Sequence, residues 1–142
     1  MALLEAVNVS KTWRSGGREA AVLKEINLRI DKGEFVSVMG PSGSGKSTLL
    51  YAISGLDRVT SGQVLLGGKD LTRMDEDELA DIRLHRIGFV FQHMHLMRNL
   101  TLLDNIVLSA YLAGRRDRKS ILRRARELME MTGIAHLADH DV

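Results

Sequence analysis

The chain has 142 residues, which is long enough for one domain with a hydrophobic core. Its 20 lysines and arginines against 18 aspartates and glutamates give a formal net charge of +2, so overall charge does not indicate a nucleic-acid partner. The absence of cysteine excludes a disulfide scaffold and is compatible with a reducing cytoplasm. No leader pattern is visible, and the most apolar later stretch, 100–114, is too short to span a bilayer. We therefore expect any membrane role to come through a partner.

The first part of the chain predicts two antiparallel strands. Residues 3–10 and 21–30 are rich in apolar and β-branched residues, and the glycine-containing segment 15–17 between them is a turn signal. Trp13 lies at the end of the first strand, beside this turn. Its flat ring can stack on a base, and the alternative, packing in the core or at the sheet edge, is favoured by burial habits alone.

The next segment matches the phosphate-binding pattern G-x-x-x-x-G-K-[ST] without a mismatch. An apolar run at 35–39 precedes it and predicts a buried strand, and a segment at 48–53 with helical apolar spacing follows it. Strand, glycine loop and helix in this order are the context that the motif requires. We therefore predict a site for a nucleoside triphosphate formed by Gly40, Pro41, Ser42, Gly43, Ser44, Gly45, Lys46, Ser47 and Thr48.

Each residue type in this loop has a role in holding phosphates. Glycines adopt left-handed backbone angles that turn successive N–H groups toward an anion, and the start of a helix adds unpaired N–H donors. Lys46 supplies a positive charge for the β- and γ-phosphates, and the Ser47 hydroxyl is placed to bind Mg²⁺. The alternative is a glycine-rich turn with a chance match, against which the flanking strand and helix argue.

Strand and helix patterns continue after the loop. Residues 63–66 predict a strand that ends at a glycine pair, and Asp75 with Glu78 predicts a capping box that opens the next helix. Residues 87–91 predict a second buried strand, which ends at Gln92. Because open α/β sheets place ligand contacts at the carboxyl ends of their core strands, Gln92 is a candidate site residue by position.

The remainder of the chain is helical by pattern. Residues 101–114 and 118–131 carry apolar residues at helical spacing. The second of these helices is expected to bury Ile121, Leu122, Ala125, Leu128 and Met129.

Two groups of side chains in this part are candidate binding sites. The basic cluster at 115–126 has no interleaved aromatic residues, so a solvated helix face is favoured over a membrane-surface or nucleic-acid patch. The pairs His93/His95 and His136/His140 lack further ligands at useful spacing, so we expect ordinary surface histidines rather than a metal site.

With these elements in order, the chain resembles the ATP-binding subunit of ABC transporters, most of all the branch that serves lipoprotein release, macrolide export and antimicrobial-peptide export. The match runs in register over nearly the whole chain and is carried by residues 33–48, 55–57, 60–62, 87–92 and 96–105. It implies an α/β fold: an incomplete P-loop NTPase core with an N-terminal antiparallel β subdomain in residues 1–92. Residues 93–142 would be the beginning of an α-helical subdomain.

The resemblance also implies roles for individual residues. Trp13 occupies the position of the aromatic residue that stacks on adenine, usually tyrosine in the family, and 40–48 is the Walker A loop for ATP. Gln92 is the glutamine of the Q-loop, which in the family reaches Mg²⁺ and relays the nucleotide state to the membrane subunits. Ser47 and Gln92 are thus the two residues expected to contact the metal.

The sequence departs from the family pattern at its end. A complete member continues for roughly half this length again, whereas this sequence stops before the signature motif, the Walker B aspartate, the catalytic glutamate and the switch histidine. We expect an N-terminal part that binds nucleotide and lacks hydrolytic residues. In the family fold the Walker B strand lies beside the P-loop strand, so its absence predicts unpaired backbone at 35–39 and a marginally stable or self-associating chain.

The resulting hypothesis is the ATP-binding subunit of a transporter that powers export or extraction through transmembrane permease subunits. The resemblance implies a homodimer of ATP-binding subunits in the intact protein, and the charge pattern leads us to expect no nucleic-acid partner. It implies a cytoplasmic location, peripheral at the inner face of the cell membrane through those partners. A non-transport ABC-type ATPase of the cell-division type is the alternative. A small phosphotransferase is less well supported, because the arginines at 115–126 are not placed as a lid over phosphates.

Overall fold

The computed structural model describes residues 2–93 and 95–141. The chain divides into two compact units between Arg83 and Leu84, here called unit 1 and unit 2. Unit 1 contains the sheet and the glycine loop, and unit 2 is mainly helical.

Unit 1 is built on a four-stranded antiparallel sheet with the spatial order β2-β1-β3-β4. Its strands are β1 (Ala2–Ser15), β2 (Arg18–Asp31), β3 (Ser61–Leu66) and β4 (Lys69–Asp70). The turn between β1 and β2 consists of Gly16 and Gly17, whose φ angles of 56° and 78° suit the right-handed twist of a tight hairpin. The predicted antiparallel pair at the start of the chain is therefore confirmed.

The helices of unit 1 also follow the sequence pattern. Helix α1 (Lys46–Ile53) begins at the glycine loop, and helix α2 (Glu76–Arg86) follows a 3₁₀ turn at Leu71–Arg73 and continues past the boundary between the units. The predicted capping box is present, because Glu78 N–H donates to Asp75 Oδ1 at 2.9 Å and Asp75 N–H donates to Glu78 Oε2 at 3.0 Å. The interior of unit 1 is formed by Ala6, Val9, Leu23, Ala52, Ile53, Val64, Leu71, Leu79 and Ile82.

A bulge in β1 sets which of its side chains face the interior. Asn8 has a positive φ of 49°, and the pairing of β1 with β3 shifts between Val7 and Ser10. The side chains of Val7 and Asn8 are both exposed, and Val9 and Lys11 beyond the bulge are buried. The bulge therefore resets the two-residue alternation of the strand.

Two predicted strands are not formed, and the backbone at 35–39 is unpaired as the resemblance led us to expect. Residues 35–39 and 87–91 have irregular backbone, and in the described part of the chain no hydrogen-bonded ladder joins either segment to a neighbouring strand. Phe35 and Val90 are almost fully exposed, at 97% and 99%, whereas Val38, Ile87 and Phe89 are partly buried. A strand requires a partner for its backbone groups, so an apolar run alone does not produce one. The self-association expected from this bare segment stays a prediction.

Unit 2 is organised around two helices, α3 (Leu102–Leu112) and α4 (Arg118–Met131), followed by a 3₁₀ turn at Ala135–Leu137. Each helix begins at a side-chain cap: Thr101 Oγ1 accepts from Asp104 N–H, and Asp117 Oδ1 accepts from the N–H groups of residues 119 and 120. The core between the helices consists of Leu103, Val107, Ile121, Ala125 and Met129.

The predicted buried face of α4 is confirmed in part. Ile121, Ala125 and Met129 are buried and Leu122 packs against them, whereas Leu128 is 38% exposed because it lies at the margin of the helical face that meets α3. Of the residues described, none belongs to a helix long and apolar enough to cross a membrane.

Candidate functional site

The loop between residues 40 and 48 adopts the backbone that the sequence predicts for a phosphate cradle. Gly43 and Gly45 have φ angles of 78° and 91°, in the left-handed region that glycine favours. The turn is closed by a hydrogen bond from Ser44 N–H to the Pro41 carbonyl at 3.3 Å. A Cβ added at Gly40 would lie 2.9 Å from Ser44 Oγ, so the Ser44 side chain would have to rotate.

Helix α1 leaves its first N–H groups available to a ligand. Its N-cap is Gly45, which offers no side-chain hydrogen bond, and its first turn contains no acidic residue. The bond from Leu49 N–H to the Gly45 carbonyl, at 2.8 Å, marks the start of the helical ladder. The N–H groups at 46–48 therefore lie ahead of that ladder and, together with the positive end of the helix dipole, favour an anion.

Lys46 folds back over the loop. Its ammonium group donates to the carbonyl oxygens of Gly40 at 2.9 Å and Pro41 at 2.7 Å, and it lies 3.5 Å from Ser44 Oγ. The neighbouring Ser47 side chain is exposed at the start of α1. The loop thus places a cation and a hydroxyl beside the free N–H groups.

The glycine loop packs against β2, which pairs with β1, the strand that carries Trp13. A Cβ added at Gly45 would lie 3.0 Å from Val22 Cγ1 and 3.3 Å from the Val22 carbonyl oxygen, so the end of the loop touches β2 there. Trp13 pairs with Ala20, two residues from Val22 along the same strand, a separation of roughly 7 Å. The structure therefore brings Trp13 and the glycine loop into the same region of unit 1.

A buried lysine lies under the Trp13 ring. Trp13 is 50% exposed, and Lys11 Nζ is 4.5 Å from its ring centroid. Lys11 is only 8% exposed, and its ammonium donates to Asp57 Oδ1 at 2.7 Å and to the Arg58 carbonyl at 2.6 Å. Sequence reasoning missed Lys11 and Asp57. The available signal was weak: a charged residue two positions before Trp13, on the same face of a strand.

Gln92 lies in unit 2, in the irregular segment after 87–91, and its side chain is exposed. Its predicted place at the end of a core strand is wrong, because that strand is not formed. The aromatic rings near Gln92 make contacts of their own. Phe91 stacks on Phe89 with ring centroids 5.4 Å apart and meets His95 edge-on at 5.5 Å.

The segment between Gln92 and α3 is hydrogen-bonded to α3 through the side chain of Asn105. Asn105 Nδ2 donates to the carbonyls of Met97, Leu100 and Thr101, and Asn105 Oδ1 accepts from Met97 N–H at 2.8 Å. This side chain uses both its donor and its acceptor to shape the segment between Gln92 and α3.

The charged side chains that the structure describes do not form a metal-binding cluster. Among residues 2–93 and 95–141 no three His, Asp or Glu side chains are grouped so as to hold a metal ion. At the end of β2, the hydrogen bond from the Arg29 guanidinium, 3.3 Å long, lowers the pKa of Asp31 below its usual value.

The chain is similar to ATP-binding proteins of known transporters. A family model described as "ABC transporter" matches residues 23–142. The macrolide export ATP-binding/permease protein MacB of Chlorobaculum tepidum is 45% identical over 140 residues, which cover 97% of this chain and 21% of that protein. The lipoprotein-releasing system ATP-binding protein LolD of Geobacter metallireducens is 44% identical over 138 residues, which cover 97% of this chain and 61% of that protein. The chain thus spans about one fifth and three fifths of these relatives.

A solved structure agrees with the fold. The ATP-binding cassette MJ0796, in a dimeric post-hydrolysis state bound to ADP and Pi, superposes with a TM-score of 0.91 at 40% sequence identity. The alignment covers 97% of this chain and 61% of that one. It confirms the predicted mixed α/β fold with an N-terminal antiparallel β subdomain.

Proposed function

Because the chain belongs to the ABC transporter family, we propose that it binds ATP and Mg²⁺ at the loop 40–48 as the ATP-binding part of a transporter. The observation that carries this proposal is the backbone of the loop, in which left-handed glycines lead directly into the uncapped start of α1. Such a loop presents consecutive N–H groups to one anion.

The residues present fit a nucleotide phosphate chain. Lys46 is held by the neutral carbonyls of Gly40 and Pro41, and a phosphate oxygen is a stronger, charged acceptor that can take their place. Ser47 would contribute its hydroxyl to Mg²⁺, with Pro41, Ser42, Ser44 and Thr48 completing the loop. When bound, the nucleotide supplies the phosphoanhydride whose hydrolysis would drive transport by the whole protein. Lys46 and the loop N–H groups would bind and orient the phosphates.

Two residues outside the loop complete the proposed site. Trp13 would stack on the adenine, which is supported by its half-exposed ring and its place on the hairpin that touches Gly45. Gln92 would reach Mg²⁺ and relay the nucleotide state to partner subunits. Its support is the family resemblance of 87–92.

The names of the relatives support the wider role. MacB is described as an ATP-binding/permease protein for macrolide export and LolD as the ATP-binding protein of a lipoprotein-releasing system. We therefore propose that the whole protein couples ATP hydrolysis to export or extraction through transmembrane permease subunits. It would dimerise through its ATP-binding subunits and lie at the cytoplasmic face of the cell membrane. Co-purification with permease subunits supports this role, and co-purification with cell-division proteins instead contradicts it.

The cradle is tested by removing its charge. Calorimetric titration with Mg²⁺-ATP is expected to show that Lys46→Ala binds about 10- to 100-fold more weakly than wild type, because a charge-assisted hydrogen bond to phosphate is lost. Lys32→Ala is the matched control, since Lys32 is an exposed lysine in the turn after β2. Equal binding by wild type and Lys46→Ala would contradict the loop as the site.

A further inference from the structure

Lys11 is the buried charged residue among the described residues of this chain, at 8% exposure. Burial of an ammonium group is unfavourable unless its donors find acceptors. Two of its three donors have them, in the Asp57 carboxylate at 2.7 Å and the Arg58 carbonyl at 2.6 Å. Its cationic head also lies 4.5 Å from the Trp13 ring centroid, a distance at which a cation is attracted to the face of an indole.

The contact with Lys11 occupies one face of the Trp13 ring. Lys11 and Trp13 are two residues apart in β1, so their side chains project from the same side of the strand. Because the cation occupies one face of the indole and the ring is still 50% exposed, the opposite face is the one that remains for a flat ligand. A ring held in this way loses less freedom when a base stacks on it.

The partner carboxylate comes from the end of the helix that carries the cradle. Asp57 follows α1, and its N–H donates to the Tyr51 carbonyl in the last turn of that helix at 3.1 Å. Thr60 fastens the same segment to β1, donating from its N–H to the Ser10 carbonyl and accepting at Oγ1 from Thr12 N–H. These hydrogen bonds therefore connect β1 to the segment that follows α1, immediately before Trp13.

We propose that Lys11 is a positioning residue for base recognition: it holds the Trp13 ring from beneath and ties it, through Asp57, to the helix of the phosphate cradle. Lys11 itself does not touch the nucleotide in this arrangement. The inference rests on the proposed binding of a nucleotide at 40–48. It predicts that Lys11 affects affinity for the base and leaves affinity for the phosphates unchanged.

The test compares two ligands on the full chain. Mg²⁺-ATP and tripolyphosphate are titrated calorimetrically into wild type, Lys11→Met, Lys11→Arg and the control Lys69→Met, which removes an exposed lysine from β4. Lys11→Met is expected to raise the Kd for ATP about three- to tenfold and to change the Kd for tripolyphosphate by less than about twofold. Lys11→Arg keeps the cation and is expected to restore most of the ATP affinity.

A second readout uses the ring itself, because Trp13 is the sole tryptophan. Without ligand, the emission anisotropy of Trp13 is expected to fall in Lys11→Met and to stay near the wild-type value in Lys11→Arg. An equal loss of ATP and tripolyphosphate affinity in folded Lys11→Met, or unchanged ATP affinity, overturns the proposal. Should circular dichroism show that Lys11→Met is unfolded, Asp57→Asn takes its place in the comparison. A raised Kd for ATP with an unchanged Kd for tripolyphosphate then supports the proposal, and an equal change in both Kd values overturns it.

The two proposals fail in different ways. Tripolyphosphate that binds neither wild type nor any variant, or that binds Lys46→Ala as well as wild type, contradicts the cradle. The anisotropy of Trp13 still tests its contact with Lys11 in that case, and an unchanged value there contradicts the positioning role.

Discussion

Gly62 lies in β3 beside the bulge of the paired strand β1. Its replacement by alanine tests how closely the two strands approach. A Cβ added at Gly62 would lie 2.4 Å from the Asn8 carbonyl oxygen, 2.6 Å from the Asn8 carbonyl carbon and 2.7 Å from the Val7 carbonyl oxygen. All three are backbone atoms, so rotation of a side chain cannot relieve the overlap. Gly62→Ala must push β3 away from β1 next to the bulge that turns Val9 and Lys11 inward.

The size of the effect follows from a matched glycine. Gly62 and Gly68 have similar positive φ angles, 91° and 81°, but a Cβ at Gly68 would meet nothing within 4 Å. Alanine in this backbone region costs about 1–2 kcal/mol at either position. The overlap with β1 adds about 1–3 kcal/mol at Gly62 alone. We therefore expect Gly62→Ala to lower the free energy of unfolding by about 1–3 kcal/mol more than Gly68→Ala.

Urea unfolding followed by Trp13 fluorescence measures this difference, because the only tryptophan lies in unit 1 on the strand concerned. The same variant should lower the emission anisotropy of the ring if the displacement reaches Lys11. Free energies of unfolding that are equal for Gly62→Ala and Gly68→Ala would refute the reasoning, since only the Cβ at position 62 would meet the backbone of β1.

Two further predictions concern packing and capping. Met129 is 1% exposed in the core of unit 2, so Met129→Ala should lower the free energy of unfolding by about 2–5 kcal/mol. Met131 is 76% exposed, so the control Met131→Ala should change this free energy by less than about 0.5 kcal/mol. Urea unfolding monitored by far-UV circular dichroism measures both. Asp75→Ala removes the side chain that accepts from Glu78 N–H at 2.9 Å and should cost about 0.5–2 kcal/mol, seen as a lower Tm. A Tm equal to that of wild type would argue against a stabilising cap.

The elements that the sequence predicts correctly are those whose causes lie within a few residues. Helix α4 has the predicted bounds, Arg118–Met131, because Asp117 caps its start and apolar residues recur at helical spacing along it. The glycine loop is similar, since its backbone angles come from its own glycines and its donors from consecutive N–H groups. Both can be read from a short window of sequence.

The failed predictions depend on distant parts of the chain. Residues 35–39 and 87–91 have the composition of buried strands, but a ladder requires a neighbouring strand, which composition does not reveal. For 35–39 only the family resemblance predicted that this neighbour would be absent. The Lys11–Asp57 pair joins residues 46 positions apart, and neither residue carries a local signal of the other. Sequence reasoning therefore proposed Trp13 as a site residue and missed the cation that lies 4.5 Å from its ring centroid.

The glycine loop is formed by residues close together in the sequence, whereas the surroundings of Trp13 come from distant segments. The two parts of the proposed nucleotide site should therefore respond differently to mutation. Phosphates would be held by backbone groups of one short loop, so that only changes to the loop itself, such as at Lys46, should weaken tripolyphosphate binding. The base would be held by a ring whose orientation depends on β1, on the segment after α1 and on the bulge at Asn8. Substitutions scattered over unit 1 should therefore reduce affinity for ATP while sparing tripolyphosphate. A set of such variants in which both affinities always fall together would mean that loop and ring act as one unit.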